Sequence, residues 1–559
     1  MTGPEVNLPA QLPELLVRAA RHFPNHRIGF LRPDRSIRCL TYPDLLSMAK
    51  RLLGGLNRSG IGKGDKVILS LDTSEEVIPA LWACFLGGIV PTLLQPPLSF
   101  TEYNPAAEKA GKVYNLLGGP KVVLSHSHFE SWLKGGIPTA SLADFASLGQ
   151  EHGEAAIVES DPGSLALLQF SSGSTGDPKG VMLSHRNIMV NIHDISQGLR
   201  LMPHDVSVSW MPLFHDMGLM GFHMTALYIG CHQYFIEPAD FIKNPLLWLD
   251  AMSDLKATIT GCPNFGQVLV NRAIARKKNP GWDLSALRAV FNGAEPISVN
   301  TMEEFHANLA PFLFDPKAML PAYGMAEATL AVTFSGLESP PQVVSFDRHE
   351  LLRHGNAVEI AGEDITSVNL VNLGKPLSHC EIRIAGEEGG IVPEGKTGQV
   401  LVSGENVTGG YFGNPGETAE AVREGWLYTG DLGFIYKGDL YILGRYKDII
   451  FINGMNYYAH DLETIALQVE GVAYGKIVLA GYFDEKEGRD KVIVFMVTPP
   501  GEASRGIFHR IRQHFLNTIG LQTDIFIPVR SNDIQRTSSG KIQRYKLVNR
   551  FLTGEFNAL

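Results

Sequence analysis

Residues 169–185 read QFSSGSTGDPKGVMLSH, and an apolar run, Leu165-Ala166-Leu167-Leu168, leads into them. That run has the length and composition of a buried strand. Ser171, Ser172, Gly173, Ser174, Thr175 and Gly176 follow, and then Lys179. Glycines and short hydroxyl side chains let backbone N–H groups approach phosphate oxygens closely. Lys179 adds a cation. A flexible Ser/Gly linker has a similar composition. A linker seldom follows a buried strand directly with a lysine behind it. The spacing is not GxxxxGK[ST], which excludes an ordinary P-loop NTPase.

Outward from this loop, helical and strand signals alternate. Residues 12–22 and 42–56 carry apolar positions at helical spacing, and 305–314 reads as another amphipathic helix. Residues 66–71 and 121–125 are short apolar strands. Such alternation predicts an α/β fold with layered, largely parallel sheets. The uncharged stretch 77–94 contains Pro79, Gly87, Gly88 and Pro91, so it reads as a buried helix feeding a strand, not a membrane span. From about Gly398 the sequence turns β-rich and glycine-punctuated. A helix at 461–469, strands at 476–481 and 491–498 and a helix at 507–519 then make a small α+β unit. The expected division is a large N-terminal domain of several subdomains, 1–444, and a small mobile C-terminal domain, 445–559. Residues 554–559 are expected to fray.

The chain has 559 residues, too many for one simple domain. Hydrophobic residues at 44% and charged residues at 19% fit a folded chain. A net charge of −10 leaves no basic field to hold a polynucleotide, so no nucleic-acid partner is expected. The five cysteines (Cys39, Cys84, Cys231, Cys262, Cys380) are scattered without CxxC spacing, which fits a reducing compartment and neither a disulfide framework nor a zinc site. The first residues lack a basic start followed by an apolar core. A cytoplasmic protein without stable membrane insertion is expected.

SSGSTGDPKGVMLSH resembles the phosphate loop of the adenylate-forming superfamily, which includes acyl-CoA synthetases, luciferases and peptide-synthetase adenylation domains. The superfamily's other signatures follow in order: FNGAEPI (291–297), AYGMAEATL (322–330), GWLYTGDLGFI (425–435), LGRYKDII (443–450) and RTSSGKIQR (536–544). Taken singly, a tyrosine is usually core and an aspartate a turn residue; the ordered set is what is specific. The resemblance implies ATP and Mg²⁺ as cofactors. It places ATP against Ser172, Gly173, Ser174, Thr175, Gly176 and Lys179. Gly293, Ala294 and Glu295 would let a flat base lie against the backbone. Tyr323, beside Gly324, offers a stacking face for adenine, and Asp431 accepts the ribose hydroxyls with Arg445 beside it. Glu327, with Thr175, would hold Mg²⁺. Lys541 is implied to contact the carboxylate and α-phosphate during adenylation, offsetting developing negative charge. Lys447 corresponds to the hinge about which the small domain rotates, presenting either the Lys541 loop or the Gly454 loop.

The branch is read from the acyl pocket and a long connection. Peptide-synthetase domains usually carry an aspartate for the substrate amino group where this chain has His215, within WMPLFHDMGLMGFHM (210–224). The apolar neighbours Leu213, Phe214, Met217, Leu219, Met220, Phe222 and Met224 suit an aliphatic chain, although a Met-rich stripe is often simply core. WMPLFHDMGL, YGMAEATL with Ala326, and NGMNYYAHDLE (453–463) look most like the fatty acyl-AMP ligase branch. So does an insertion placed at about 338–371, containing FDRHELLRHGNAV, with strand and helix signals of its own. That resemblance implies activation of a medium- or long-chain fatty acid to acyl-adenylate. The acyl group then passes to the phosphopantetheine arm of an acyl carrier protein or carrier domain. A fatty acyl-CoA synthetase and a catalytically silent acyl- or nucleotide-binding protein are the alternatives; Lys541, Glu327 and Asp431 argue against the latter.

Overall fold

The structure is a computed structural model that describes residues 8–97, 105–149, 153–172, 177–276, 281–362, 367–452, 455–484, 487, 489–536, 542–556 and 558. Its helices begin where the sequence supplies donors' partners. Tyr42–Arg58 starts on a reciprocal cap, in which the Thr41 hydroxyl accepts from the Asp44 N–H and the Asp44 carboxylate accepts from the Thr41 N–H. Ser184 and Asn187 do the same for His185–Gly198.

The large domain is built on a nine-stranded sheet. In spatial order its strands are Lys375–Pro376, Ala331–Phe334, Met319–Gly324, Ala289–Asn292, Ile259–Gly261, Val206–Ser209, His232–Ile236, Arg27–Leu31 and Ile37–Thr41. Its centre is parallel and both edges turn antiparallel. A second, all-parallel sheet runs Val90–Leu93, Lys66–Ser70, Lys121–Leu124, Leu142–Asp144. The stretch 77–94 falls in the buried helix Ser74–Leu86, which carries Pro79, and in the strand Val90–Leu93. A five-stranded antiparallel sheet follows, centred on Trp426–Tyr436, so the expectation of largely parallel sheets holds only for the first two sheets.

The segment 165–184 is a hairpin. Leu165–Ser172 pairs antiparallel with Pro178–Ser184, with Ser172 opposite Pro178. The loop therefore joins two strands of a hairpin. In the small domain, Ile477–Asp484, Arg489–Val497 and Ile525–Val529 form a sheet covered by Ala459–Ala466, Glu502–Ile519 and Arg544–Leu552. Of the segment 554–559 expected to fray, residues 557 and 559 lie outside the described residues, and the preceding ones are held. Phe556 packs on Phe495, 5.9 Å between ring centroids, and under Arg550, which also pairs with Glu555. An aromatic ring at that position finds apolar partners, which holds the chain as far as Phe556. The helix expected at 305–314 starts earlier, as Val299–Leu309 capped by Ser298, and closes in a 3₁₀ turn at Ala310–Phe312, where Pro311 interrupts the helical pattern.

The stretch expected as an insertion is a packed subelement. Val343–Asp347 pairs antiparallel with Ser367–Val371, and a π-helical turn, Glu350–His354, lies between them. Phe346, Leu351, Leu352 and Val368 join one apolar core with Phe434 and Tyr441 of the five-stranded sheet and with Ile450, Tyr457 and Leu462 beyond Lys447. Phe346 is fully buried and meets Phe434, Tyr436 and Tyr441 edge-on at 5.0–5.4 Å. Phe346→Ala should cost about 3–5 kcal/mol, the usual cost of emptying a phenylalanine site. Urea unfolding followed by fluorescence checks this; a loss below about 1 kcal/mol would mean the core closes over the gap.

Candidate functional site

One cavity of about 1280 Å³ takes its walls from both domains. That exceeds the ordinary range for a single small ligand and leaves room for a nucleotide and an acyl chain together. The strand end Met319–Gly324 brings Tyr323 to it, and Trp426–Tyr436 brings Asp431. The Tyr323 hydroxyl donates to Asp431 Oδ2 at 2.7 Å, and Arg445 Nε donates to Asp431 Oδ1 at 2.9 Å. Burial, followed by the adjacent Asp431 charge, pushes the Tyr323 phenol well up, so it remains a donor. Asp431 also raises the pKa of the Arg445 guanidinium. Both Asp431 oxygens are thus already engaged. Ribose hydroxyls would use the lone pairs that remain on them.

Gly324 is required where the backbone turns: an added Cβ would lie 1.9 Å from the Leu330 carbonyl oxygen. Beside it Ala294 adopts φ of +69°, an uncommon conformation for a residue with a side chain. Gly293, Ala294 and Glu295 line the cavity, and Glu295 also accepts the Phe265 N–H at 2.7 Å. Glu327 lies in the turn after Gly324, and the Tyr411 hydroxyl donates to its Oε1 at 3.0 Å. Its other oxygen is a hard donor of the kind Mg²⁺ takes, so the residue fits that ion. Lys179 reaches the same wall, but Glu417 Oε2 lies 3.0 Å away and the Tyr411 ring 5.0 Å away. Its charge is therefore shared before any phosphate arrives. Sequence reasoning missed Tyr411 and Glu417, which lie outside every quoted motif; their roles come from where the chain returns in space.

His215 lines the cavity, with Nδ1 2.7 Å from Asp216 Oδ1. Gln169 fixes that turn by donating to the Phe214 carbonyl at 2.8 Å. The apolar set divides. Phe214, Met217 and Phe222 line the cavity, whereas Leu213, Leu219, Met220 and Met224 are buried in the core behind it. That part of the expected acyl pocket is corrected: a π-helix, Met217–Met224, presents only one face to the cavity.

Lys447 lies in the turn Tyr446–Asp448 and lines the cavity. Gly173, Ser174, Thr175, Gly176, Gly454 and Lys541 lie outside the described residues, as does the side chain of Ser172. Arg536 and Ile542, which flank the Lys541 segment, form a bridge with each other and line the cavity. Arg544 then binds both Glu463 oxygens at 2.7 and 2.8 Å and Asp448 at 3.3 Å. The insertion reaches the same region: Arg348 pairs with Asp461 and donates to the Ser367 carbonyl at 2.7 Å.

A sheet-bound cavity with a polar wall at Tyr323, Asp431 and Arg445, an apolar wall and a second domain closing it is the arrangement of an adenylate-forming enzyme. The chain belongs to the AMP-binding enzyme family, whose profile matches residues 16–412. It is similar to the long-chain-fatty-acid–AMP ligase FadD26 of Mycobacterium marinum, 29% identical over 98% of both chains. It is also similar to the medium-chain-fatty-acid–[acyl-carrier-protein] ligase TtuA of Teredinibacter turnerae, 33% identical over 70% of this chain and 63% of that protein. Among solved structures it superposes with a TM-score of 0.89 on one from work on fatty acyl-adenylate ligases of E. coli and L. pneumophila, 30% identical over 98% of both chains. Among the described residues no helix is long and apolar enough to cross a membrane.

Behind the π-helix runs a buried relay. Trp82 donates to His223 Nε2 at 2.8 Å, and His223 Nδ1 lies 2.9 Å from Gln233 Oε1. Gln233 in turn donates to the Tyr42 hydroxyl at 2.9 Å. These partners specify neutral His223 with its proton on Nδ1, and burial lowers its pKa to about 4 from 6.5. The unfolded chain binds this proton first. The contribution to stability is therefore complete above pH 6.5 and is lost as pH falls towards 4, by up to about 3 kcal/mol. His185, lowered to about 4 by burial, adds to the same slope. His223→Gln should flatten part of the slope in urea midpoints measured between pH 7 and 4.5; an unchanged slope would refute neutral burial of His223.

Proposed function

We propose that the protein activates a medium- or long-chain fatty acid with ATP and passes the acyl group to the phosphopantetheine arm of a carrier protein, in the cytoplasm. The carrying observation is the single cavity that unites Tyr323, Asp431, Arg445, Glu327 and Lys179 with the apolar Phe214, Met217 and Phe222. In the first half-reaction a carboxylate oxygen attacks the α-phosphorus and the bond to the bridging oxygen breaks, releasing pyrophosphate. Tyr323 and Asp431 seat the nucleoside, Lys179 faces the phosphates, and Lys541 neutralises charge at the reacting groups. Mg²⁺, when held at Glu327 and Thr175, supplies charge neutralisation along the triphosphate. In the second half-reaction a thiol sulfur replaces AMP at the acyl carbon, its proton leaving to solvent.

The insertion supports a carrier-bound thiol over free CoA. Leu351 and Leu352 lie in the turn Glu350–His354, which packs on Met455–Tyr458 beyond Lys447, and Arg348 pairs with Asp461 there, while Phe346 anchors the insertion on Phe434, Tyr436 and Tyr441 before it. Each such apolar side chain is worth about 1.5–3 kcal/mol when buried. Rotation about Lys447 must give up these contacts, so the insertion favours the orientation that makes adenylate. A docked carrier domain can offset that loss with its own surface; the small CoA molecule has little surface with which to do so.

Lys541→Ala should slow fatty-acid-dependent ATP–pyrophosphate exchange by about 100-fold or more, while transfer from supplied acyl-AMP survives. Equal loss in both half-reactions would overturn the role assigned to Lys541. Wild-type enzyme given fatty acid, ATP, Mg²⁺ and CoA should accumulate acyl-AMP. Deletion of about 338–371 should raise acyl-CoA formation, with circular dichroism confirming that the variant folds. Wild-type turnover of CoA as fast as adenylate forms would make the chain an acyl-CoA synthetase.

A further inference from the structure

Residues 349–354 of the insertion read H-E-L-L-R-H. A zinc-binding helix carries its two histidines four apart, as H-E-x-x-H, so that both fall on one face. Here they are five apart, which on an α-helix would set them about 140° from each other. The fold removes that mismatch. Glu350–His354 is a π-helical turn, closed by the Gly355 N–H donating to the Glu350 carbonyl, and π closure takes up one residue more than an α-turn. His349 and His354 consequently lie side by side, with ring centroids 5.8 Å apart. One ligand atom each from His349, Glu350 and His354 lies within 4.8 Å of the others, and among the described residues this is the one group in which three such donors converge. Cysteine spacing gives no hint of it, because no cysteine takes part.

The backbone under this group is fixed. Leu351 and Leu352, between the two histidines, are buried, and their turn packs on Met455–Tyr458 of the small domain. The Glu350 N–H donates to Asp347 Oδ1 at 2.9 Å, and the Thr397 N–H donates to the Gly355 carbonyl at 2.9 Å. Gly355 has φ of +63°, and a Cβ there would lie 2.7 Å from Thr397 Oγ1, so the close approach requires glycine. Asn356 Nδ2 donates to Glu350 Oε2 at 2.8 Å, which orients the carboxylate and leaves Oε1 to a ligand. His349 and His354 are exposed, so imidazole rotation can close the group around an ion whose bonds are about 2.0–2.2 Å long.

We propose that His349, Glu350 and His354 bind one divalent transition-metal ion, Zn²⁺ or a close congener, with water in the fourth position. Two imidazoles and a carboxylate suit such ions, whereas Mg²⁺ takes oxygen ligands. The three side chains stand outside the reaction cavity, which takes Arg348 and Ser367–Val371 from the insertion. The ion is therefore a clasp, not a participant in acyl activation, and it is independent of the acceptor proposed above. It ties His349 to His354 across the turn whose leucines meet the small domain. Arg353 opposes it, because Nη1 lies 3.5 Å from His349 Nε2 and a guanidinium beside a bound cation is repelled. Three protein ligands and that repulsion set the dissociation constant on the order of 1 µM, weaker than four-ligand structural zinc.

The test uses the full-length protein, stripped of metal by a chelator that is then removed, at about pH 7.5, where an ordinary imidazole is neutral. Zn²⁺ is read by competition with a chromophoric indicator and Co²⁺ by its visible absorption. Wild type should take up one ion at this affinity, and about a thousandfold excess of Mg²⁺ should not displace it. His349→Ala and His354→Ala should each weaken binding about tenfold or more, and Glu350→Gln should weaken it by a smaller factor. Arg353→Ala deletes no ligand and should bind at least as tightly as wild type. It also shows that alanine on this exposed face leaves the turn intact, with circular dichroism as the check. No uptake by wild type, displacement by Mg²⁺, or a loss in Arg353→Ala equal to that of the histidine variants would each overturn the proposal. So would full affinity in both histidine variants, the mark of an adventitious ion only.

Discussion

Asp431 is the point on which this site depends. Its carboxylate is nearly buried and takes the Tyr323 hydroxyl on one oxygen and the Arg445 guanidinium on the other. A carboxylate withdrawn from water is tolerable only with such partners, and removing either leaves the other unpaired. The three residues come from the end of the nine-stranded sheet, the centre of the five-stranded sheet and the last residue before the Tyr446–Asp448 turn. One ion pair and one hydrogen bond therefore set where two sheets meet and where the small domain departs. The cavity lies at that meeting because the strand ends supply polar groups there while helices and the π-turn supply the apolar wall.

The second constraint is apolar. The insertion does not hang from the surface as a loop; Phe346, Leu351 and Leu352 complete a core shared with strands on either side of Lys447. Burial of this kind is non-directional but has an on-off character, because interdigitated side chains cannot slide by fractions of a contact. A small domain held this way has a preferred orientation rather than free rotation. The Arg348–Asp461 pair, flanked by the Ser367 carbonyl, makes that preference specific in register.

Much of the chemistry was legible because it lies in short, contiguous motifs. Tyr323, Glu327, Asp431, Arg445 and Lys179 all reach one cavity, and each was visible in its own run of sequence. What was illegible is what depends on return of the chain. Tyr411 reaches Glu327 from residues far along the sequence, and Glu417 meets Lys179 likewise. The Met-rich run 211–224 showed composition but not facing, since a π-helical turn shifts which side chains point to the cavity. The hairpin at 165–184 was read as a strand entering a loop; its antiparallel return, Pro178–Ser184, went unread because periodicity over so few residues carries little signal.

By itself the sequence determined the layered α/β class, the order of elements and the acidic and aromatic groups that line the cavity. Those follow from local rules: alternation of apolar residues, caps, and residue chemistry within a motif. Only the tertiary structure decided which oxygens of Asp431 were already occupied, how far Glu417 tempers Lys179, and which faces of the apolar run meet the cavity. These are contacts between residues remote in sequence, and packing and hydrogen-bond satisfaction select them only when the whole chain has closed around them.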